Sequence, residues 1–512
     1  MIGGGIIVLL ALLYLALPGL LAQRLASTLG KMSGLTFSSA SSHFDFSLPG
    51  LSLDQARLAN KAGQSVLDAE SLHVPFSILW SGIGAPISFE NAALHAYAAD
   101  GREHFTMAKI NGSSILNSDG SFATSGTADI GQIHAIVEVS LVSLPRALNE
   151  GSPADLTLSS KLAKAGYSGR LKLKDGFDLA GTMNLETLDA AALFAALGSN
   201  LTAMQPAWPL NITGAVETRD DVLFFSNLEG QLGSMKALGN ASYSAPGGRP
   251  KLTLDLGMDV IDLSLFGLGA PSPVGPWSEK AYDLKGLDSL DAIWHISANA
   301  LRFGRVETAP GEFDGSLKDR ILEASFATKD AQAFSASFSL DSQGFQPVFE
   351  ASFKASAVDG KTALHSLTGF DWLTGPTSIS GKFSSSGDSP ASMVSKLSGN
   401  LDVQVSAAQI LGVEAASLLQ SAATQPVEGW NGGVTEPVDG TMSLTFSDGI
   451  GSISDGNFTA PGVSANVSGD VDVLRQAVEV KVFPSFAGGK TAPSIAARGH
   501  WDKPTFSADK SP

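Results

Sequence analysis

Residues that could catalyse a reaction or bind a metal are few and scattered in this sequence. The 512-residue chain has no cysteine, which excludes thiol catalysis, disulfide bonds and cysteine-ligated metals. Its 8 histidines do not stand in pairs at the short spacing of a metal site. Neighbouring acids such as Asp220-Asp221 are typical of solvated turns rather than of paired catalytic carboxylates. The sequence therefore predicts no metal or acid–base site.

Short motifs that resemble catalytic signatures each lack a required feature. Gly166-Tyr167-Ser168-Gly169 has the wrong spacing for the G-x-S-x-G elbow of serine hydrolases. Gly360-Lys361-Thr362 and Gly489-Lys490-Thr491 resemble the end of a phosphate-binding loop. The glycine that such a loop requires five residues earlier is replaced by Ala355 and Pro484. We therefore predict a protein that is not an enzyme and uses no cofactor.

The charge balance excludes a further class of partner. Asp and Glu number 50 and Lys and Arg number 33, which gives a formal net charge of -17. Contacts with nucleic-acid phosphates need clustered cations, and the sequence contains no such cluster. No nucleic-acid partner is expected. Charged residues are only 16% of the chain and hydrophobic residues 44%, so the chain must bury or cover much apolar surface.

Alternation of apolar and polar residues is the dominant pattern after residue 35. In Phe334–Leu340 the apolar residues occupy every second position and serines stand between them. The same period of two runs through Lys251–Val260 and recurs in several shorter segments. Strict alternation is typical of an antiparallel strand with one apolar face. We therefore predict a mainly β chain, arranged as a long antiparallel meander.

Glycines after aspartates mark the predicted turns. Asp-Gly tolerates the positive φ angles of a tight hairpin, and the pairs begin at Asp100, Asp119, Asp175, Asp314, Asp359, Asp439, Asp448 and Asp455. Short helices are expected within 188–197, 389–399 and 407–423, with weaker helical patterns at 288–300 and 361–373. So few short helices cannot cover the apolar faces of about twenty strands.

Two arrangements remain open for these apolar faces. Either two sheets pack face to face as sandwiches, or one twisted sheet curls into a trough whose apolar face is left for a ligand. Aromatic and aliphatic strand residues would line the trough, and ordinary core packing is an equal interpretation for any one of them. The candidate lining residues are Phe44, Phe46, Leu252, Leu254, Leu256, Phe334, Phe338, Phe353, Val403 and Phe446.

The N-terminus carries the longest uncharged segment. Ile2–Ala22 contains no charged residue and, as a helix, is long enough to cross the ~30 Å hydrocarbon core of a bilayer. A cleavable signal has a shorter apolar stretch that follows a basic region, and no Lys or Arg precedes this segment. These features favour a retained single-pass anchor over a cleaved signal. The anchor residues would include Ile6, Leu9, Leu13, Leu17 and Leu21. The two cations that follow the segment, Arg24 and Lys31, leave its orientation open.

Short motifs follow this segment and recur in the C-terminal third. The opening contains Phe44–Leu58 and Ala69–Val74. The C-terminal third contains, in order, Ser380–Phe383, Gly387–Ser389, Lys396–Leu401, Ile410–Val413, Leu444–Gly449, Gly456–Phe458, Gly469–Asp472 and Arg498–Pro504. This ordered set resembles the AsmA family of bacterial envelope proteins, and the two opening segments resemble the strands that follow the membrane helix of that family.

This resemblance implies a single-pass protein of the Gram-negative inner membrane, held by its N-terminal helix with its body in the periplasm. Members of the family are regarded as long β-grooves, related to bridge-like lipid-transfer proteins, that help to move phospholipid toward the outer membrane. The resemblance therefore favours the trough, and it implies phospholipid, the inner membrane and a periplasmic or outer-membrane protein as partners.

The resemblance also implies a division of the chain. Residues 1–30 would form the transmembrane anchor, 31–150 an N-terminal AsmA-like β segment, 151–365 a middle β-repeat region and 366–512 a C-terminal AsmA-like β domain. The fold would be an N-terminal transmembrane helix followed by an antiparallel β-meander that curls into an elongated groove, with a few short helices.

A second interpretation belongs to a different class of protein. It is a non-lipid envelope assembly or scaffolding protein with a closed β-sandwich body. Such a body has a dry interior without bound lipid, whereas a lipid conduit retains acyl chains along its apolar strand faces.

Overall fold

The computed structural model describes residues 17–27, 36–45, 47–60, 62–81, 84–97, 103–173, 178–197, 208–244, 249–262, 276–288, 290–303, 306–329, 333–361, 372–429, 432–488 and 490–509. Of these residues, 66% lie in strands and 10% in helices, which confirms the mainly β prediction. The chain divides into two compact units, unit 1 (Met1–Thr253) and unit 2 (Leu254–Pro512). The segment boundaries given by the AsmA resemblance stay predictions.

Among the described residues, unit 1 contains fourteen complete strands. They are β1 (Thr36–Ser38), β2 (Ser41–Asp45), β3 (Gly50–Ala59), β4 (Ser65–Pro75), β5 (Ile87–Tyr97), β6 (Glu103–Leu116), β7 (Phe122–Ile130), β8 (Ile133–Leu141), β9 (Ser152–Ser160), β10 (Ala163–Lys172), β11 (Asp178–Thr187), β12 (Leu210–Arg219), β13 (Val222–Leu232) and β14 (Met235–Ser244). From β3 to β14 each strand pairs antiparallel with the next strand along the chain. Both β1 and β2 pair with β3. The predicted meander is confirmed in this unit.

The strand β15 (Lys251–Met258) contains the division between the units. Unit 2 continues with β16 (Ile261–Asp262), β17 (Asp291–Ala298), β18 (Leu301–Phe303), β19 (Val306–Glu307), β20 (Gly311–Lys318), β21 (Ile321–Thr328), β22 (Phe334–Asp341), β23 (Val348–Asp359), β24 (Leu373–Thr374) and β25 (Pro376–Ser386). It ends with β26 (Ser398–Leu411), β27 (Val427–Glu428), β28 (Val434–Ser447), β29 (Ile450–Ala460), β30 (Val463–Asp472), β31 (Ala477–Phe486), β32 (Lys490–Thr491), β33 (Ile495–His500) and β34 (Thr505–Ala508).

Unit 2 is also a meander of antiparallel strands. Its pairing order is β17, β20, β21, β22, β23, β25, β26, β28, β29, β30, β31, β33, β34 and β27. A small separate sheet contains β16, β18 and β19, in which β16 and β18 run parallel. The pairings among the described residues leave the main sheet open rather than closed on itself.

The α-helices among the described residues are short. They are α1 (residues 17–27), α2 (Phe76–Ser81), α3 (Leu144–Ala147), α4 (Ala190–Ala196), α5 (Pro390–Ser395) and α6 (Ala415–Ala422). Side chains cap several of them. Asp189 accepts a 3.0 Å hydrogen bond from the Ala192 amide at the start of α4. The Ser389 side chain accepts a hydrogen bond from the Ser392 amide at the start of α5, whose first residue is Pro390.

Two of the expected helical segments differ from the structure, and a third is largely untested. Residues 291–298 form β17 instead of a helix, because Ala292, Trp294, Ile296 and Ala298 alternate with exposed residues. The segment 407–423 is helical only from Ala415, and its beginning belongs to β26. The segment 361–373 lies mostly outside the described residues.

Glycine has two different roles in these sheets. Asp119-Gly120 and Asp448-Gly449 form turns between neighbouring strands, as predicted. The pairs at Asp314, Asp439 and Asp455 lie inside strands, so the prediction of turns there is wrong. A Cβ at Gly440, for example, would lie 2.6 Å from the carbonyl oxygen of Asn457 on the neighbouring strand. There the glycine permits a close approach of two backbones instead of a turn. The pairs at Asp100 and Asp175 lie outside the described residues.

The cross-strand pair Gly169 and Gly181 shows what this close approach does to the sheet. A Cβ at Gly169 would lie 2.4 Å from the Cα of Gly181 and 2.5 Å from the carbonyl oxygen of Ala180. The pair Gly112 and Gly126 is equally tight. All four glycines lie on the face that carries the apolar residues of their strands. The neighbouring backbones therefore approach each other closely on the apolar side at both pairs, which glycine permits.

Both ends of the described chain have a buried core with a helix packed on it. The N-terminal cluster contains Phe37, Leu51, Leu53, Ala56, Ala69, Val74 and Ala92. Leu21 and Leu25 of α1 and Ile78 of α2 pack against it. The C-terminal cluster contains Val413, Ala415, Leu418, Leu419, Ala422, Val438, Ala460, Val463, Ala465, Val482, Ile495, Ala497 and Phe506. Here α6 packs its buried residues against the apolar face of the sheet.

The predicted membrane anchor is only partly within the described residues. Ile6, Leu9 and Leu13 lie outside them, and no described helix is long and apolar enough to cross a bilayer. Leu17 is half-buried, and Leu21 packs against the N-terminal cluster. The C-terminal end of the predicted anchor segment therefore lies on the sheet of unit 1.

We expect Gly169→Ala to lower the free energy of unfolding by about 1–3 kcal/mol, because the added methyl group overlaps the backbone of β11. Chemical denaturation of the full chain measures this change. Gly230→Ala is the matched control in β13, since a Cβ there meets no atom closer than 3.9 Å. It should be neutral or slightly stabilising. Equal destabilisation by both substitutions would show that the Gly169–Gly181 approach is not tight.

Candidate functional site

The candidate site is the apolar face of the sheets, which the alternation of side chains creates. In β21, Ala324 and Phe326 are 5% and 3% exposed, whereas Glu323 and Ser325 on the opposite face are exposed. In β11, Met183 and Leu185 are half-buried and their strand neighbours are exposed. We call the face that carries Ala324 and Phe326, or Met183 and Leu185, the apolar face. The opposite face of the same strands is the polar face.

Strand register aligns the apolar residues of unit 2 into rows that cross the sheet. One row contains Trp294, Gly315, Ala324, Phe338, Ala351, Phe383, Gly399 and Phe446 in consecutive pairings. The adjacent row contains Ile296, Phe313, Phe326, Ala336, Phe353, Gly381, Leu401 and Leu444. Glycines and alanines stand beside aromatic residues at several places in both rows, so these rings have room to lie over small neighbours.

Several of the aromatic rings lie directly over glycines. A Cβ at Gly315 would lie 2.1 Å from the indole of Trp294, and one at Gly451 would lie 2.6 Å from the ring of Phe446. A Cβ at Gly381 would lie 2.8 Å from the Phe383 ring. Each ring therefore occupies the place of the missing side chain, as aromatic residues do when they cover strand glycines. The apolar face of unit 2 is lined in this way by rings that lie against the sheet.

Unit 1 has a corresponding apolar face of different composition. One row contains Val137, Leu158, Ala165, Leu185, Ile212, Gly230 and Ala237 in consecutive pairings. Val137 is 7% exposed and belongs to a small buried cluster, and the next six residues are half-buried. In this unit the aliphatic side chain of Leu228 covers Gly214, with its Cδ2 atom 2.8 Å from the position of a Cβ. The apolar face of unit 1 is therefore mainly aliphatic.

The predicted lining residues of unit 2 lie on this apolar face, with different degrees of burial. Phe338 and Phe353 are half-buried, and the rings of Phe353 and Phe383 are 6.2 Å apart and nearly parallel. Phe334 packs beside Phe326 in a buried cluster, with ring centroids 5.9 Å apart. The two remaining predicted residues of the unit, Val403 and Phe446, lie further along the sheet. Val403 is half-buried, and Phe446 is 8% exposed in a core with Leu444 and Ile453.

The other predicted lining residues lie elsewhere in the chain. Leu252, Leu254 and Leu256 are half-buried on one side of β15. Phe44 packs against the N-terminal cluster and meets the ring of Phe76 edge to face at 5.4 Å. Phe46 lies outside the described residues. The lining residues are thus spread along the sheets rather than gathered at one point, and their role in binding stays a prediction.

Sequence reasoning missed Trp294, Phe313 and Phe383 as lining residues. Trp294 lies in the segment whose pattern was interpreted as weakly helical, and Phe383 was noted only as part of a motif. The alternation of Ala292, Trp294, Ile296 and Ala298 is the signal that could have identified β17. That signal competes with a helical pattern in a segment this short.

The polar face carries small hydroxyl side chains and isolated ion pairs. In register across β20–β26 lie Asp314, Ser325, Ser337, Ser352, Lys382 and Asn400. Ser337 and Ser352 are joined by a 2.8 Å hydrogen bond. Next to this row, Nδ1 of His295 lies 2.5 Å from Oδ1 of Asp314. The Asp314 carboxylate raises the pKa of His295 above its ordinary value of 6.5. This exposed pair is typical of a solvated surface rather than of a catalytic site.

The arrangement of titratable groups supports no metal centre. Within the part of the chain that the structure describes, no three histidine, aspartate or glutamate side chains come together as metal ligands do. A comparison of this chain with protein-family models and with curated proteins gives no match. The argument for function therefore depends on the geometry of the apolar face and on the resemblance in the sequence.

We expect the pKa of His295 to fall when Asp314→Asn removes the carboxylate. A histidine whose pKa is raised by folding stabilises the folded state fully below its unfolded pKa. It loses that contribution as the pH rises through the folded pKa. Histidine-selective NMR titration of the full chain measures the change, with Ser297→Asn on the same face of β17 as the control. If the pKa of His295 is unchanged in the Asp314 variant, the Asp314 carboxylate is not the group that raises it.

We expect Leu418→Ala to lower the free energy of unfolding by about 2–5 kcal/mol, because this side chain is 3% exposed within the C-terminal cluster. Gln420→Ala, on the exposed side of the same helix, is the control and should change stability little. Thermal unfolding of the full chain compares the two variants. A Leu418 variant as stable as its control would mean that α6 does not pack against the apolar face of the sheet.

Proposed function

We propose that this chain is a membrane-anchored lipid-handling protein of the bacterial envelope, similar to the AsmA family. In this proposal the apolar faces form an elongated groove that holds phospholipid acyl chains. The groove carries phospholipid between the inner and outer membranes and so supports biogenesis of the outer membrane. The resemblance of the opening strands and of the C-terminal motifs supports the assignment to the family.

The single observation that carries the proposal is a half-buried apolar face. Phe338, Phe349 and Phe353 of unit 2 and Leu158 and Leu185 of unit 1 are all half-buried on such faces. In an ordinary close-packed protein core, such side chains would be fully buried against other protein atoms. A half-buried apolar row in register across many strands is a surface that a long apolar ligand can cover.

Burial of acyl chains provides the driving force in this proposal. Each CH₂ group that leaves water stabilises the bound state by about 0.8 kcal/mol. Such burial is non-directional, so a chain can occupy any stretch of the groove without a specific site. The close approach of the backbones on the apolar side at Gly112–Gly126 and Gly169–Gly181 supports a sheet that curls toward that face. Headgroups would remain in water at the open side of the sheet.

The N-terminal segment would hold this groove at the inner membrane, with the body in the periplasm. The uncharged run Ile2–Ala22 supports an anchor. The packing of Leu21 and Leu25 on the first strands would join the anchor directly to the beginning of the groove. A protein in the periplasm or outer membrane would receive the lipid at the far end.

A second candidate function is a non-lipid scaffold of envelope assembly, and one observation favours it. In the C-terminal cluster the apolar face is filled by α6, so this part of the sheet is already covered by protein. If the remaining apolar faces were covered in the same way by partner proteins, no lipid would be needed. The two candidates differ in whether the purified protein retains lipid.

We expect Phe338→Glu to reduce the lipid that co-purifies with the full chain by several-fold, because a carboxylate in the groove opposes acyl-chain burial. Ser337→Glu is the matched control, since it places the same charge on the exposed polar face one residue away. Mass spectrometry of extracted lipids measures the bound amount, and circular dichroism confirms that both variants fold. A folded Phe338 variant that retains the normal amount of lipid would contradict the proposal.

A further inference from the structure

Two lysines lie next to each other on the polar face of unit 2. Lys354 of β23 and Lys382 of β25 occupy diagonal positions, because Lys354 pairs with Ser380 and Lys382 pairs with Ser352. Diagonal neighbours on one face of a sheet are about 7–8 Å apart, a distance that long side chains can span. Both lysines are exposed, and neither forms an ion pair with a residue that the structure describes.

The positions around Lys354 on the neighbouring strands carry hydroxyl groups. Ser335 and Ser380 stand directly opposite it, on β22 and β25. Ser337 and Ser378 stand at diagonal positions on the same two strands. The positive charge of Lys354 is therefore not offset by a carboxylate at any of these positions.

Lys382 has two carboxylates at diagonal positions, but neither forms an ion pair with it. They belong to Glu350 on β23 and Asp402 on β26. The Asp402 carboxylate accepts hydrogen bonds from Ser443, at 2.6 Å, and from Asn400, at 3.4 Å. Like charges in neighbouring positions of a sheet repel each other. The two lysines therefore destabilise the folded chain unless an anion lies between their ammonium groups.

The two lysines border a shallow groove of about 430 Å³. The groove lies between two rows of the polar face, and its floor is the backbone of the row that contains Ala336 and Phe353. No residue from the apolar rows on either side, such as Phe334 or Phe338, lines it, so it opens to the polar face. Besides the lysines, its lining includes the hydroxyl side chains of Ser335, Ser337, Ser352 and Ser380.

We propose that this groove binds the phosphate group of a water-soluble phosphate monoester. A monoester carries about two negative charges near neutral pH, which matches the two ammonium groups of Lys354 and Lys382. Its three terminal oxygens would accept hydrogen bonds from these lysines and from the surrounding serine hydroxyls. A phosphodiester, as in a phospholipid headgroup, carries only one charge.

This site is separate from the surface that the proposed function uses. Acyl chains would lie on the apolar face, and the two lysines lie on the opposite face of the same strands. The inference therefore goes beyond the proposed lipid function and does not depend on it.

The test is a phosphorus NMR titration of the detergent-solubilised full chain at about pH 8, where a monoester is doubly charged. Glycerol 3-phosphate is the monoester probe, and glycerophosphoglycerol is the diester probe. Lys354→Gln removes one charge and keeps a polar side chain. Lys164→Gln is the matched control, because Lys164 is an exposed strand lysine of unit 1 that stands opposite Glu186.

We expect the wild-type chain to bind glycerol 3-phosphate at least about fivefold more tightly than glycerophosphoglycerol. Lys354→Gln should raise the Kd for glycerol 3-phosphate about tenfold, through the loss of one hydrogen bond between charged groups. Lys164→Gln should change this Kd less than twofold. The melting temperature of the unliganded Lys354 variant should not fall at low ionic strength, because the substitution relieves repulsion.

Four results would overturn the inference. They are a wild-type chain that binds neither ester, a diester that binds as tightly as the monoester, equal effects of Lys354→Gln and Lys164→Gln, and a lower melting temperature of the unliganded Lys354 variant. The last result would show that the lysine pair is already compensated within the free protein. None of the four affects the proposed lipid function, which concerns the opposite face of the sheet.

Discussion

The structure depends on one constraint, which is that an antiparallel strand with alternating side chains has a single apolar face that must leave water. Each strand of the two meanders contributes residues to that face, and strand register aligns them into rows such as Trp294 to Phe446. Sheets of this kind become stable when another layer covers the face. The way in which the face is covered therefore determines both the stability of the fold and its function.

The chain covers this face differently at its ends and between them. At the C-terminal end α6 places Leu418 and Leu419 into the sheet, and at the N-terminal end α1 places Leu21 and Leu25 on the first strands. Between these ends, rings such as those of Trp294 and Phe383 lie over glycines of their own sheet. They lie close to the backbone instead of standing upright, and they are half-buried. This arrangement covers the backbone of these strands and leaves the rings half-buried at the surface of the apolar face.

Local sequence patterns predicted much of the fold. The alternation around Phe334 and Phe338 identified β22, and the predicted helical segments 188–197 and 389–399 contain α4 and α5. The predictions were wrong where the role of a residue depends on another residue that is distant in the sequence. Gly315 follows an aspartate and resembles a turn, but its role is to receive the indole of Trp294 from another strand.

From the sequence, the candidate site could be predicted only as an apolar face of a sheet. Periodicity shows which residues share a face, so Phe338 and Phe353 could be assigned to an apolar row from sequence. It does not show whether a helix covers that row, and Phe446 lies in a buried core although its pattern resembles that of Phe338. The burial of the Trp294 indole over Gly315 could not be predicted, because it depends on atoms that come together only in the folded sheet.

The central claim is that acyl chains contact the apolar face and not the polar face. Photo-crosslinking tests it directly, with a photoreactive phenylalanine analogue placed in turn at the four consecutive positions Ala351, Ser352, Phe353 and Lys354 of β23. The account predicts that the protein, irradiated in cells, crosslinks to lipid at positions 351 and 353 and not at 352 and 354. Crosslinks of equal strength at all four positions, or at none of them in the folded protein, would contradict it.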